Sequence, residues 1–104
     1  MELKVSSPGN KLSDEDVDRI AHDLEKIDRR LPKYKDIRAE LRVHSGEAPA
    51  SFHVTLEIWY GPNHLIAKAD HTDMGQAVRE AREEILRQIN DRSRGSHSQY
   101  AKGR

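Results

Sequence analysis

The sequence contains no cysteine and few aromatic residues, and each shortage restricts what the chain can be. Without cysteine there is no disulfide framework and no thiolate chemistry, which fits a reducing compartment such as the cytoplasm. Aromatic residues make up 5% of the 104 positions and apolar residues 35%, so the chain can fill one thin core but not two. We therefore expect a single two-layer domain.

Long hydrophobic runs and net charge are also missing. No apolar run approaches the ~20 residues of a membrane-spanning helix, and the N-terminus lacks the apolar segment of a signal peptide. We therefore expect a soluble, untargeted protein with no membrane partner. The 18 basic residues balance 18 acidic ones, but residues 1–31 are more acidic than basic, whereas residues 92–104 carry four cations and no carboxylate.

Two segments place apolar residues at the three- and four-residue steps of a helix. The first helix is predicted over residues 14–30, with Ser13 as its N-cap and Pro32 as its stop. Its apolar residues are Val17, Ile20, Ala21, Leu24, Ile27 and Leu31. The second helix begins after the expected N-cap Thr72, and its apolar stripe is wide enough to lie across a sheet. That stripe consists of Met74, Ala77, Val78, Ala81, Ile85 and Ile89.

Four other segments alternate apolar and polar residues, which is typical of strands that are buried on one face. Their inward residues are Leu3 and Val5, then Ile37, Ala39, Leu41 and Val43, then Phe52, Val54, Leu56, Ile58 and Tyr60, and finally Leu65, Ala67 and Ala69. Turns are expected at residues 8–10, 45–51 and 61–63, where glycine and proline accumulate.

The order β-α-β-β-β-α predicts an α+β fold, with a four-stranded, mostly antiparallel sheet and both helices on one face. The crossover helix requires the first two strands to pair in parallel, and the first strand is expected at the edge of the sheet. The short links between the later strands predict an antiparallel meander. On the uncovered face Glu57 is expected opposite Lys68. Trp59 is expected opposite Ile66, which would leave a small apolar patch that we interpret as ordinary cross-strand packing.

Patterns that mark catalysis or metal binding are missing. His44 and His53 are expected to face each other across the first hairpin, but two imidazoles do not close a zinc shell. There is no glycine-rich phosphate loop, and no serine or carboxylate lies with a base and an orienting group in the pattern of a nucleophile. We expect a protein that is not an enzyme and that has no cofactor, no metal and no small-molecule substrate.

A row of basic residues follows the outer face of the first helix and could track a phosphate backbone. Its members are Arg19, His22, Lys26, Arg29 and Arg30. Acidic residues lie among them, and such a row is a solvated helix face about as often as it is a nucleic-acid surface. The residues alone therefore lead to an α+β domain with a candidate RNA-facing side.

The second helix also carries a specific resemblance. Three of its segments are Asp73-Met74, Ala77-Val78 and Ile85-x-Arg87-Gln88-Ile89. Their spacing resembles the second helix of the ribosome hibernation-promoting and ribosome-associated inhibitor family, in which Asp-Met-x-x-Ala-Ile precedes Leu-x-Arg-Gln-Leu. Residues 24–29 are similar to the Lys/Leu-rich end of the family's first helix, and the order of elements agrees over residues 1–91.

The resemblance implies that residues 1–91 form a domain that binds the small ribosomal subunit. Basic residues of both helices would contact rRNA in the channel used by mRNA and tRNA, so that translation stops and idle ribosomes are preserved under stress in stationary phase. The family's dimerising second domain has no counterpart in these 104 residues, so we expect the short form and a monomer off the ribosome. The expected rRNA-binding residues are Arg19, Lys26, Arg29, Arg30, Arg79, Arg82, Arg87, Arg92 and Arg94.

Two other functions stay open on the sequence. A general double-stranded RNA-binding module has a similar α-β-β-β-α core, although the acidic start of the second helix argues against it because such modules place cations there. A protein-interaction domain could instead use the open sheet face around Trp59 and Ile66. The basic tail, residues 92–104, is expected to be disordered before binding.

Overall fold

The computed structural model describes residues 1–9, 11–45 and 49–102, with side chains described only up to residue 92. The elements are β1 (Glu2–Ser6), α1 (Asp14–Arg30), β2 (Arg38–Ser45), β3 (Phe52–Tyr60), β4 (Asn63–His71) and α2 (Met74–Lys102). The predicted order and α+β class are therefore confirmed. Asn10 and residues 46–48, which were expected in turns, lie outside the described residues.

The four strands form one open, mixed sheet in the order β1-β2-β3-β4. β1 pairs in parallel with β2, because α1 carries the chain from one end of the sheet back to the other, and β2, β3 and β4 form an antiparallel meander. β1 is an edge strand, as predicted. His44 lies opposite His53 in the first hairpin, which was also predicted.

The predicted register of the second hairpin is wrong by two residues. Glu57 lies opposite Ile66 rather than Lys68, and Trp59 lies opposite His64 rather than Ile66. The open face therefore has no pair of large apolar residues at this place, and Trp59 instead has an imidazole beside it.

The reason is the length of the turn, which contains only two residues between the paired Tyr60 and Asn63. Gly61 has a φ of 54°, a conformation that glycine adopts without the steric cost that a Cβ imposes. The ring of Pro62 fixes the following φ near −65°, so the two residues reverse the chain within the shortest common hairpin loop.

The core lies between the sheet and the two helices, which cover the same face. Its buried residues are Ile20, Leu24, Ile27, Leu31, Ile37, Ala39, Leu41, Val43, Val54, Leu56, Ile58, Tyr60, Leu65, Ala67, Ala77, Val78, Ala81, Ile85 and Ile89. Both predicted helical stripes face this core, although Val17, Ala21 and Met74 are only partly buried. In the part of the chain that the structure describes, no helix is both long enough and apolar enough to cross a membrane.

The start of α1 is confirmed, and the predicted cap of α2 is wrong. Ser13 Oγ accepts from the backbone N–H of Asp16 at 3.0 Å, and the Asp16 carboxylate accepts from the Ser13 N–H at 3.2 Å, which forms a capping box. At α2 the cap is Asp73 rather than Thr72, since the Asp73 Oδ1 accepts from the N–H of Gly75 at 3.2 Å. β4 continues to His71, so Thr72 belongs to the bend between strand and helix.

α2 continues as helical backbone to Lys102, well past residue 91, where the sequence predicts that the domain ends. No proline follows Pro62 in the sequence, so nothing removes a backbone donor from the growing helix, and Gly95 alone costs only about 1 kcal/mol relative to alanine. The mobility that we expect of this segment before binding stays a prediction. Residues 103 and 104 lie outside the described residues.

The packing predicts that Leu24→Ala and Ile85→Ala each lower the free energy of unfolding by roughly 2–5 kcal/mol, because both side chains are fully buried. Ile66→Ala is the matched control, since Ile66 is 45% exposed on the open face and should change stability by less than about 0.5 kcal/mol. Chemical denaturation measures all three. Reductions below about 1 kcal/mol at both core positions would show that the helix faces are assigned incorrectly.

Candidate nucleic-acid interface

A groove runs between the exposed faces of α1 and α2, and we call it the interhelical groove. It encloses about 480 Å³ and is lined by Lys26, Arg29, Arg30, Glu83, Leu86, Arg87 and Asn90. Four cations and one carboxylate therefore face one concave surface. The groove is open to solvent, so an extended ligand can lie in it.

The core determines the position of these cations. On α1, Leu24 and Ile27 are fully buried against the sheet, so Lys26 and Arg29 are directed away from it. On α2 the same argument applies to Arg87, because Ile85 is buried two positions before it. Two amphipathic helices that share one sheet face thus bring charged residues from distant parts of the chain together.

The α1 cations of the groove differ in how far their charge is compensated. The Lys26 ammonium lies 3.9 Å from the Glu83 carboxylate, which is a long, exposed ion pair. Arg30 donates to the amide oxygen of Asn90, a neutral acceptor. Among the residues whose side chains are described, Arg29 makes no ion pair. The α1 side of the groove therefore keeps most of its positive charge.

On the α2 side, Arg87 forms a close pair with Glu84. Two nitrogens of the guanidinium donate to the two carboxylate oxygens at 3.0 and 2.7 Å, and Asp91 lies 3.6 Å away. The hydrogen bond from Arg87, assisted by one from Gln88, holds the pKa of the Glu84 carboxyl below its usual value. Because Arg87 is well exposed, its guanidinium can exchange this carboxylate for another anion.

Arg79 and Arg82 were expected to contact rRNA, but the structure places them in contacts between the helices. Arg82 is only 14% exposed; one nitrogen lies 3.8 Å from the Asp23 carboxylate and 3.4 Å from the Asp23 carbonyl oxygen. Arg79 lies 3.9 Å from the same carboxylate and 4.0 Å from Asp73. Neither lines the interhelical groove. Arg82 links α2 to α1, whereas Arg79 is 40% exposed and also donates to Gln76 of its own helix at 3.2 Å.

Two of the remaining expected residues, Arg19 and Arg92, lie apart from the groove. Arg19 lies near the start of α1, outside the groove, and pairs with Glu15 at 3.7 Å. Arg92 donates to the amide oxygen of Asn63 at 2.8 Å and lines a separate cleft at the end of α1. The side chain of Arg94 lies outside the described residues. The structure therefore brings four of the nine expected residues together in the groove, namely Lys26, Arg29, Arg30 and Arg87.

The open sheet face is polar and internally paired. Glu57 accepts from Arg42 at 2.6 Å, and its other oxygen lies 2.7 Å from the Nε2 of His64. The hydrogen bond with His64 and then that with Arg42 hold the pKa of Glu57 below its usual value, although partial burial opposes the shift. Trp59 stacks on His64 at 4.8 Å between ring centroids, and the guanidinium of Arg38 lies 5.4 Å from the Trp59 ring.

Sequence reasoning missed this network because it depends on the two-residue turn, which sets His64 rather than Ile66 beside Trp59. Ile66 is the one large apolar side chain that the face exposes among the described residues. His53 contacts Asp70 at 2.9 Å. Within the described residues, no group of three or more potential ligands is arranged to hold a metal ion.

Comparison with known proteins gives one family. Residues 3–95 match the family model described as sigma 54 modulation protein / S30EA ribosomal protein. The match covers most of the chain, including all of α1, β2, β3 and β4 and most of β1 and α2. The comparison with curated protein sequences gives no significant match.

Several solved structures share the fold, and two of them are from Thermus thermophilus and Coxiella burnetii. The N-terminal domain of Protein Y from Thermus thermophilus superposes with a TM-score of 0.73 at 15% identity, over 86% of this chain and 96% of that one. A ribosomal subunit interface protein from Coxiella burnetii superposes with a TM-score of 0.77 at 14% identity, over 89% of this chain and 98% of that one. At these identities the likeness concerns the fold.

The buried contacts of Arg82 predict that Arg82→Ala lowers the free energy of unfolding by about 1 kcal/mol or more, because the Asp23 carbonyl oxygen loses a charged hydrogen-bond donor and the Asp23 carboxylate loses a nearby cation at a site shielded from water. Arg19→Ala removes the same charge from an exposed i,i+4 pair and should cost less than about 0.5 kcal/mol. Thermal or urea unfolding compares the two. Equal, small reductions would show that Arg82 does not hold the helices together.

The lowered pKa of Glu57 predicts a stability that depends on pH. A carboxyl whose pKa is depressed in the folded state stabilises it above the unfolded pKa of about 4.3, and this contribution disappears as the pH falls through the folded value. Glu57→Gln should therefore reduce stability near pH 7, and its difference from the parent should shrink in acid. Glu80→Gln, at an exposed position on α2, is the control. A difference that stays constant with pH would contradict the prediction.

Proposed function

The chain belongs to the sigma 54 modulation protein / S30EA ribosomal protein family, and on that premise we propose that it binds rRNA of the small ribosomal subunit through the interhelical groove. The observation that carries the proposal is the convergence of Lys26, Arg29, Arg30 and Arg87 on one concave surface. In this proposal the protein acts in the cytoplasm as a hibernation factor. It occupies the channel of mRNA and tRNA and so inhibits translation without catalysing a reaction.

Local charge, rather than total charge, makes this binding feasible. The chain has no net charge, so long-range attraction to RNA is weak, and the affinity must come from the cations that face the phosphates. Each phosphate that a lysine or arginine neutralises releases condensed counterions, which is favourable and depends on salt concentration. A groove with four cations and one carboxylate supplies that contact even on a neutral protein.

The cations of the groove take different parts in the proposal. Arg29, which has no ion pair among the described side chains, binds phosphate without giving up a partner. Lys26 replaces its long contact with Glu83 by a contact with phosphate, and Arg87 replaces its contact with Glu84 in the same way. Arg79 and Arg82 act indirectly, because their contacts with Asp23 fix the spacing of the two helices and hence the width of the groove.

The shared fold also supports a place for this protein on the ribosome. The Coxiella protein of the same fold is described as a ribosomal subunit interface protein, and we carry that description over to this chain as part of the proposal. Arg19 and Arg92 then serve as further cations outside the groove that an extended rRNA strand can reach, and Arg94, whose side chain lies outside the described residues, stays an expected contact. The protein is proposed to be a monomer when it is off the ribosome.

Reversal of groove charges tests the proposal. Lys26→Glu together with Arg29→Glu should reduce small-subunit binding at moderate salt by at least about tenfold and lower the salt slope by about one for each phosphate that is no longer neutralised. The melting temperature should change little, since both side chains are exposed. Sedimentation with purified subunits at several salt concentrations measures affinity and slope together.

The matched control reverses two cations on the opposite surface, Lys4→Glu and Lys68→Glu, which makes the same change in net charge. This control should bind nearly as well as the parent. Equal weakening in both double variants would mean that only total charge matters. Equal binding of the parent to subunits and to arbitrary RNA duplexes would favour a general RNA-binding module, and binding that does not depend on salt would favour a protein partner.

A further inference from the structure

A second cleft lies at the C-terminal end of α1, and we call it the tyrosine cleft. It encloses about 520 Å³, within the range of roughly 300–1,000 Å³ that is usual for small-ligand sites. The end of α1 and the residues that follow it form one side of the cleft. The end of β3 and the start of β4 form a second side, and α2 forms a third. It shares Arg30 with the interhelical groove, so the two depressions adjoin.

Two tyrosines supply the aromatic wall of this cleft. The Tyr34 and Tyr60 rings meet edge to face with centroids 4.9 Å apart. Tyr60 is 4% exposed and belongs to the core, whereas Tyr34 is 38% exposed. Burial raises the pKa of the Tyr60 phenol. One ring is therefore fixed by the core, and the other lies against it with free surface.

The backbone holds Tyr34 in this position. Its N–H donates to the carbonyl of Leu31 at 3.1 Å, which closes the turn after α1. A Cβ on Gly61 would lie 2.8 Å from the Tyr34 Cε1, so only glycine lets the ring approach the β3–β4 turn this closely. Gly61 thus has two roles: it adopts the backbone conformation of the hairpin turn, and it leaves room for the Tyr34 ring.

The cations of the cleft keep their charge. Arg30, Lys33 and Arg92 line it, and none of its lining residues is aspartate or glutamate. Arg30 and Arg92 are oriented by the amide oxygens of Asn90 and Asn63, which are neutral. Asparagine can therefore position a guanidinium without cancelling its charge, unlike the carboxylates around Arg79, Arg82 and Arg87.

We propose that the tyrosine cleft binds one unstacked nucleotide, with its base against Tyr34 and its phosphate among Arg30, Lys33 and Arg92. Cations alone would fit any phosphate, but an exposed, pre-positioned aromatic ring beside them also fits a base, since stacking on aromatic side chains is how proteins hold unpaired bases. The proposal rests on the proposed function only for the source of the nucleotide. An rRNA strand that leaves the groove at Arg30 and a free nucleotide offer the same chemistry.

The test compares probes that differ in the base. Adenosine 5′-monophosphate, ribose 5-phosphate and a single-stranded hexaadenylate are titrated into the ¹⁵N-labelled full chain and followed by NMR. We expect the amide signals of residues 33, 34, 60, 61 and 63 to shift, with base-bearing probes binding at least about fivefold more tightly than ribose 5-phosphate. Tighter binding of the hexamer than of the monophosphate would identify RNA as the source. Equal affinity for the hexamer and the monophosphate would identify a free nucleotide as the source.

Variants separate the base from the phosphate. Tyr34→Ala should abolish the preference for base-bearing probes, and Tyr34→Phe should keep it, because the ring rather than the hydroxyl makes the stack. Lys33→Ala should weaken all three probes by a similar factor. Thermal melting checks that Tyr34→Ala stays folded, and Tyr34→Phe tests the ring independently of stability.

Equal affinity for adenosine 5′-monophosphate and ribose 5-phosphate, or no amide shifts at residues 33, 34, 60, 61 and 63 with any probe, would overturn the inference. The outcome is independent of the proposed function. Base preference without small-subunit binding would support nucleotide binding in the tyrosine cleft and reject the ribosomal role. Subunit binding that depends on Lys26 and Arg29, without base preference in the cleft, would support the ribosomal role and reject nucleotide binding in the cleft.

Discussion

Both helices bury their apolar stripes on the same side of one four-stranded sheet, and the remaining features follow from that packing. A sheet that is covered on one face only leaves its other face to polar residues, here joined through Glu57 and Trp59. The same packing sets α1 and α2 side by side with their charged faces outward. The interhelical groove is therefore a consequence of the core, and polar side chains that are about sixty residues apart in sequence become neighbours, as Arg30 and Asn90 show.

The partners of the cations then divide them into two groups with different roles. Around Asp23, carboxylate and arginines are partly shielded from water and stabilise the contact between helices. Around Arg29 and Arg30, carboxylates are distant or replaced by amide groups, so positive charge remains available to a ligand. On a chain with no net charge, this local arrangement decides whether RNA can bind.

Periodicity predicted the elements, the strand order and the core, because burial on one face enforces a regular spacing of apolar residues. It could not predict register across the second hairpin, which depends on Gly61 and Pro62 closing a two-residue turn. It could not distinguish Arg82 from Arg87 either, since both lie on charged faces of α2 and only the neighbouring helix decides which is buried. The tyrosine cleft was missed for a similar reason, because Tyr34 lies in a loop whose partners come from other elements.

The absence of cysteine allows the most direct test of which surface faces the ribosome. A single thiol can be introduced by Arg29→Cys in the interhelical groove or by Ile66→Cys on the open sheet face, and each can carry an iron chelate that generates hydroxyl radicals. Bound to the small subunit, the probe at position 29 should cleave rRNA strongly at nearby nucleotides, and the probe at position 66 weakly. Stronger cleavage from position 66 would place the open sheet face, rather than the groove, against the RNA and would contradict the account.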